Sequence, residues 1–181
     1  MLNVGTRTIE TERLILRKLE EKDTNAIYNN WCSDPNVSKY VTWDMHKSIE
    51  DTKEYVKFKL DLYNKDYRFD WIVLLKETNE PIGEIDAVKQ SVNYNLVELG
   101  YCYGSKFWNQ GYATEALKAV ISYLSDIAYV EKITACHIST NPASGRVMEK
   151  AGMTYDATLK EYVVDKNTKK RADLVYYSYK K

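Results

Sequence analysis

At 181 residues, with 44% hydrophobic and 13% aromatic content, the chain has the makings of one globular domain spanning 1–181, and disorder is excluded. Its 26 basic and 26 acidic residues cancel, which leaves no broad positive field for non-specific nucleic-acid binding. Three scattered cysteines, without Cys-x-x-Cys or His-Glu-x-x-His spacing, speak against a disulfide framework or a metal site and for a reducing, cytoplasmic setting. P-loop, dinucleotide and G-x-S-x-G fingerprints are also missing.

The opening "MLNVGTRTIETERL" lacks an apolar core of signal-peptide length, and no later run approaches a membrane span. "RLILRKL" alternates as a strand, and "EKDTNAIYNNWC" reads as a short helix with Asp23 near its start. "SIEDTKEYVKFKLDLY" opens on Ser48 with Asp51 three residues on, a helix N-terminal signal. "YRFDWIVLLK", "PIGEIDAVKQ" and "YNLVELGYCY" follow as three strands joined by short polar turns, which predicts an antiparallel meander.

A helix then begins near Tyr112, with Ala113, Ala116, Leu117, Val120, Ile121 and Leu124 forming one buried stripe. "VEKITACHIS" is the next strand, and strand–helix–strand order implies a parallel pair. His137 within it reads as a structural histidine. In "NPASGRVMEKAG", Asn141 is the expected N-cap, Pro142 suits the first turn and Gly152 the end. Two strands, "TYDATLKEYVV" and "DLVYYSYK", close the chain around the basic turn "DKNTKKRA", which reads as solvated. The fold class is therefore α+β, with a mixed, mostly antiparallel sheet and helices on its faces.

One junction bears on function. "VELGYCYGSKFWNQGYAT" runs from a strand through a glycine turn into a helix. A helix's first N–H groups lack intrahelical partners and carry partial positive charge, so Gly111 followed by Ala113 and Thr114 suits a pyrophosphate. The alternative reading is a plain connector.

Three stretches in register carry a resemblance to a known family. Trp108-Asn109-Gln110-Gly111-Tyr112-Ala113 resembles the acetyl-CoA segment of the GNAT N-acetyltransferases, Gln/Arg-x-x-Gly-x-Gly/Ala. "NPASGRVMEKAGM" resembles that family's later Asn-containing helix. "IETERLILRKL" with "WCSDPNVSKYV" is similar to the RimJ/RimL branch, which acetylates ribosomal-protein N-termini. Trp108 departs from the signature's Gln or Arg, and Met148 stands where many members carry a tyrosine acting as general acid.

The resemblance implies the GNAT fold, its central sheet splayed between the fourth and fifth strands, and direct acetyl transfer from acetyl-CoA (coenzyme A) to a primary amine. The acceptor would be a protein N-terminus or a small-molecule amine; the alternative is a non-catalytic acyl-CoA-binding module. An α-amino group costs only roughly 1.4 kcal/mol to deprotonate at neutral pH, against about 5 kcal/mol for lysine. Glu98 is the first candidate base, the alternative being an edge glutamate paired with a basic residue; Glu84 and Asp86 stand behind it.

Backbone groups of Tyr101, Cys102 and Tyr103 would meet pantetheine, while a covalent role for Cys102 lacks a basic partner. Ser144 would serve the departing thiolate, Asn141 would join it, and Tyr155 is a fallback acid. Arg146 and Lys150 would meet the adenosine 3′-phosphate or simply be solvated. Trp31, Tyr40, Trp43, Asp34, Asp44 and Glu84 would line an acceptor cleft, or some would pack as ordinary core. The last hairpin carries an edge strand, which leaves room for a homodimer.

Overall fold

The computed structural model describes residues 1–2, 4–63 and 68–180. Eight strands form one sheet in the order β1-β2-β3-β4-β5-β6-β8-β7. They are β1 (Ile9–Glu10), β2 (Leu14–Arg17), β3 (Asp70–Leu75), β4 (Pro81–Ser91), β5 (Leu96–Tyr103), β6 (Lys132–Ile138), β7 (Thr154–Val164) and β8 (Arg171–Lys180). Only β5 and β6 pair in parallel. The meander and its two hairpin joins stand as the alternation predicts.

Helices cover both faces. On one lie α1 (Thr24–Ile27), continued by a wide π-type turn through Cys32, then α2 (Pro35–Ser38) and α3 (Ile49–Leu62). Ile27, Trp31, Val37 and Val56 pack there on Ile72, Leu74 and Cys102. On the other lie α4 (Tyr112–Ser122) and α5 (Pro142–Lys150), where Leu117, Val120 and Met148 pack on Val73, Leu99 and Ile133. The α4 stripe stands in all but its first position: Ala116, Leu117, Val120, Ile121 and Leu124 are buried, each larger side chain contributing roughly 1.5–3 kcal/mol, while Ala113 is only half-buried.

β3 is buried along almost its whole length because it lies under helices on both faces, so its residues read as an apolar run rather than an alternation. α3 starts with the reciprocal cap expected of Ser48 and Asp51: the Ser48 hydroxyl accepts from the Asp51 amide at 3.4 Å, and the Asp51 carboxylate accepts from the Ser48 amide at 3.0 Å. Gly152 ends α5 in the left-handed region at φ +93°, with its amide returned to the Glu149 carbonyl at 3.0 Å.

Five local expectations need correction. The two-residue β1 is an addition, so the splay falls between β5 and β6. The stretch read as one helix after Asp23 divides into an α-helical turn and a π-type turn. α2 forms within a segment read as loop, because the Asp34 side chain accepts from the Asn36 amide at 2.8 Å and Pro35 presets the first turn. Asn141 stands at the N-cap of α5 as expected, but its side chain makes no capping bond; its carbonyl accepts from the Ser144 amide, and Pro142 has already removed one amide in need of a partner. β3 begins at Asp70; Tyr67, expected in it, lies outside the described residues.

Candidate active site

β5 and β6 are hydrogen-bonded only from Leu96↔Lys132 to Leu99↔Ala135. Beyond that, Gly100–Tyr103 and Cys136–Ile138 continue as strand without pairing to each other, so a wedge opens in the sheet. The Gly104 amide donates to Ile82 on the β4 side. Strand alternation then gives Cys102's amide and carbonyl to β4, and leaves those of Tyr101 and Tyr103 on the wedge edge. The expectation that the Cys102 backbone meets a ligand in the wedge is thereby corrected: its main-chain groups are spent on β4. Its thiol is buried, with burial raising its pKa, which makes it a poor nucleophile.

Below the wedge the chain turns into α4. Asn109 and Gly111 have φ of +60° and +83°, and the first helical bond runs from the Glu115 amide to the Gly111 carbonyl at 3.0 Å. The amides of Tyr112, Ala113 and Thr114 precede that bond, and no side chain caps them. Such a row of oriented donors at the positive end of a helix fits a pyrophosphate. Trp108 faces partly outward and donates its indole N–H to the Tyr103 carbonyl at 2.8 Å, so it secures the loop. Gln110 does the same, donating to the Lys106 carbonyl at 2.9 Å.

Across the wedge two predicted residues meet. The Tyr101 hydroxyl lies 2.8 Å from Ser144 Oγ and donates to the Ser144 carbonyl at 2.9 Å. Burial pushes the Tyr101 hydroxyl pKa up, so it keeps its proton at neutral pH. The sequence reading assigned Tyr101 only through its backbone; its side chain was missed. Gly145, next to Ser144, is required by close packing, since a Cβ there would sit 2.7 Å from His137 Nε2. His137 is accordingly structural, its Nδ1 2.9 Å from the Ile138 carbonyl.

The opposite face carries charge. Glu84 of β4 sits across from Cys102, buried, and accepts from the Tyr55 hydroxyl at 2.6 Å and the Cys102 thiol at 3.5 Å. Burial, then the neighbouring Asp86, raise its pKa above the ordinary glutamate value. Lys59 of α3 lies beneath, 2.6 Å from Asp86 and 3.3 Å from Asp70, and Arg68 also pairs with Asp70. Trp43, His46 and Tyr55 form an aromatic row toward Glu84, with centroids 5.7 and 5.9 Å apart. The tip between β7 and β8 closes over this row: Lys166 Nζ donates to the Trp43 carbonyl at 2.6 Å and Asn167 Nδ2 to the Lys39 carbonyl at 2.8 Å. Tyr40 stands against Trp108, linking this segment to the turn.

Other expected residues fall elsewhere. Trp31 is fully buried in the core under α1 and lines no cleft, as an indole of that size on an apolar helix face gains most from packing. The Asp44 side chain is fully exposed, 4.0 Å from Lys166, and forms no inner wall. Asp34 caps α2 and accepts from the Ser105 amide at 3.2 Å, a structural tie. Glu98 sits in the closed part of the β5–β6 pair, opposite Thr134, and pairs with Lys89 at 3.2 Å, the alternative left open for it. Met148 is core, and Tyr155 is exposed on the outer strand, its hydroxyl 3.0 Å from Thr158. Arg146 and Lys150 are exposed on α5. Among the described residues no cluster suited to a metal ion occurs, and no helix is long and apolar enough to cross a membrane.

Comparison with known proteins agrees with this geometry. Residues 13–154 match the acetyltransferase (GNAT) domain family. The uncharacterized N-acetyltransferase YnaD of Bacillus subtilis is 33% identical over 86% of this chain and 87% of its own. A GNAT-family acetyltransferase from Bacillus anthracis is 30% identical and superposes with a TM-score of 0.82, covering 96% of this chain and 98% of that one. RimL, a ribosomal L7/L12 alpha-N-protein acetyltransferase in complex with coenzyme A, shares the fold at TM-score 0.85 and 17% identity, over 96% and 98% of the two chains. Acetyl-CoA is the acetyl donor of this family, and the chain belongs to it: the protein is a GNAT acetyltransferase.

Proposed function

We propose that the protein moves an acetyl group from acetyl-CoA directly to a primary amine, on a protein N-terminus or a small molecule. One observation carries the reading: a wedge in the sheet, bridged by Tyr101 and Ser144, opens beside a helix start whose amides are unspent. The donor supplies an activated acetyl group as a thioester. The amides of Tyr112, Ala113 and Thr114 hold its diphosphate, with Gly111 leaving room for close approach. The main-chain groups of Tyr101 and the amide of Tyr103 are offered to the pantetheine arm, and the Asn141 side chain, free of capping duty, is available there too. Arg146 and Lys150, exposed on α5, are the candidates for the 3′-phosphate.

Tyr101 and Ser144 together hold a proton where a leaving thiolate needs one, the task that Met148 cannot perform. Glu84 takes the proton of the incoming ammonium, because burial raises its basicity while Tyr55 fixes its orientation. Glu98, bound to Lys89, is better suited to holding β4 and β5 in register. Trp43 and Tyr40 offer aromatic faces to a cationic acceptor on its way to Glu84. Three free thiols suit a cytoplasmic setting.

The test is release of free thiol from acetyl-CoA over a panel of peptides with varied N-termini, polyamines, amino acids and aminoglycosides. Turnover on one class supports the reading and names the acceptor. Tight binding of acetyl-CoA without turnover on any amine points to an acyl-CoA-binding module instead.

A further inference from the structure

We propose that Arg13, just before β2 and 97 positions from Gln110 in the turn, supplies the side-chain cation that holds the diphosphate of coenzyme A. This rests on the acetyl-CoA reading above and adds a residue to it. From Phe107 to Thr114 the turn contains no basic residue, and Trp108 occupies the place where the related signature carries Gln or Arg. The nearest lysine before it, Lys106, is committed to Glu80 at 2.9 Å.

Arg13 reaches this turn from just before β2. Its Nε donates to Glu115 Oε2 at 2.7 Å and its Nη1 to the Gln110 carbonyl at 3.0 Å. The guanidinium lies over the Tyr112 ring, 4.6 Å from the centroid. Two edges of the fork are thus spent on fixing the turn. The third, Nη2, lies 3.3 Å from where a Cβ on Gly111 would project, so the missing side chain leaves the guanidinium beside the helix start.

Glu115 does not need this third edge. Its carboxylate already accepts from Thr11 Oγ1 at 2.6 Å, the Arg13 amide at 2.9 Å and Arg13 Nε. The Arg13 side chain is 43% exposed, so a ligand can reach it. A planar guanidinium anchored on two sides and open on the third is well matched to phosphate oxygens.

Calorimetric titration with coenzyme A tests the assignment, using the wild type, Arg13→Gln, Arg13→Lys and Glu115→Gln, with melting temperatures recorded to establish folding. Arg13→Gln is expected to lose about ten- to a hundredfold in affinity, the range of a charge-assisted hydrogen bond. Arg13→Lys should recover part of it, and Glu115→Gln should keep most, since it leaves the cation in place. Raising salt from about 0.05 to 0.5 M should weaken the wild type more steeply than Arg13→Gln, because screening acts on the lost charge. Equal losses in Arg13→Gln and Glu115→Gln, with equal salt dependence in all four proteins, would reduce Arg13 to a structural clamp and overturn the proposal. Undiminished affinity in Arg13→Gln would overturn it too. Absence of coenzyme A binding in the wild type would instead bring down the acetyl-CoA reading, and the proposal with it.

Discussion

The two faces of the sheet meet at the wedge and solve opposite electrostatic problems. On the α4–α5 face the site is made mostly of main chain: unspent amides, a left-handed glycine and a strand edge, with Tyr101, Ser144 and Arg13 as its polar side chains. On the α1–α3 face the site is side chain throughout, with Asp70, Glu84 and Asp86 around the buried Lys59. An anion of fixed charge is best held by oriented dipoles, which need no buried counter-charge. A proton must be taken and released, and that requires a titratable group whose basicity burial has tuned. The difference predicts that damage to the amide row of the first face abolishes binding, whereas damage to Glu84 on the second leaves binding intact and stops chemistry.

Gly111→Val strikes the first face hardest. It forces a branched residue to φ +83° and places a Cβ within 3.3 Å of Arg13 Nη2. Affinity for acetyl-CoA should fall by roughly a hundredfold or more, since several amide contacts are lost together; calorimetry reads it directly. Glu84→Gln tests the other face. Turnover should fall by roughly a hundred- to ten-thousandfold with coenzyme A affinity unchanged.

The pH profile of Glu84→Gln sharpens the contrast. A base must be ionised to work, and the pKa of Glu84 is raised. Wild-type kcat/KM should therefore drop with falling pH at a value above the ordinary glutamate range. In the variant that limb should vanish, leaving only the titration of the amine acceptor itself. Tyr101→Phe should lower kcat by about ten- to a hundredfold, the worth of one transition-state hydrogen bond, and Ser144→Ala added to it should cost little more because the two hydroxyls act as a pair. Smallest of all, Glu98→Gln should change turnover by less than about threefold, as expected when only a half-exposed ion pair is lost.

The same contrast explains what was legible in the sequence. A site built from main chain is written locally: Gly111, the α4 stripe and the Asn141–Ser144 spacing all lie within short stretches, so both the turn and the fold could be read. A site built from side chains is assembled from distant segments. Lys59, Asp70 and Asp86 come from a helix and two strands, and no local pattern joins them. Arg13 read as the outward residue of an alternating strand, although it spans 102 positions to reach Glu115. For Trp31 the sequence left a cleft wall and core packing both open, and composition alone drew Asp44 toward the cleft. Burial claimed the first and solvent the second, and neither outcome is encoded in an aromatic or acidic residue by itself. Glu98 shows the same limit, since its neighbour across the strand pair, Lys89, was set by register rather than by sequence proximity.

The central claim is that the open amides at the start of α4, beside the wedge, hold the donor. Backbone amide exchange, followed by NMR with and without saturating coenzyme A, addresses it most directly. The account predicts that Tyr112, Ala113 and Thr114 shift and become protected on binding, together with Tyr101 and Tyr103 on the wedge edge, while Glu98 and Lys89 stay as they are. Protection elsewhere with those amides unchanged would contradict it, and would mean that the glycine turn is a connector after all.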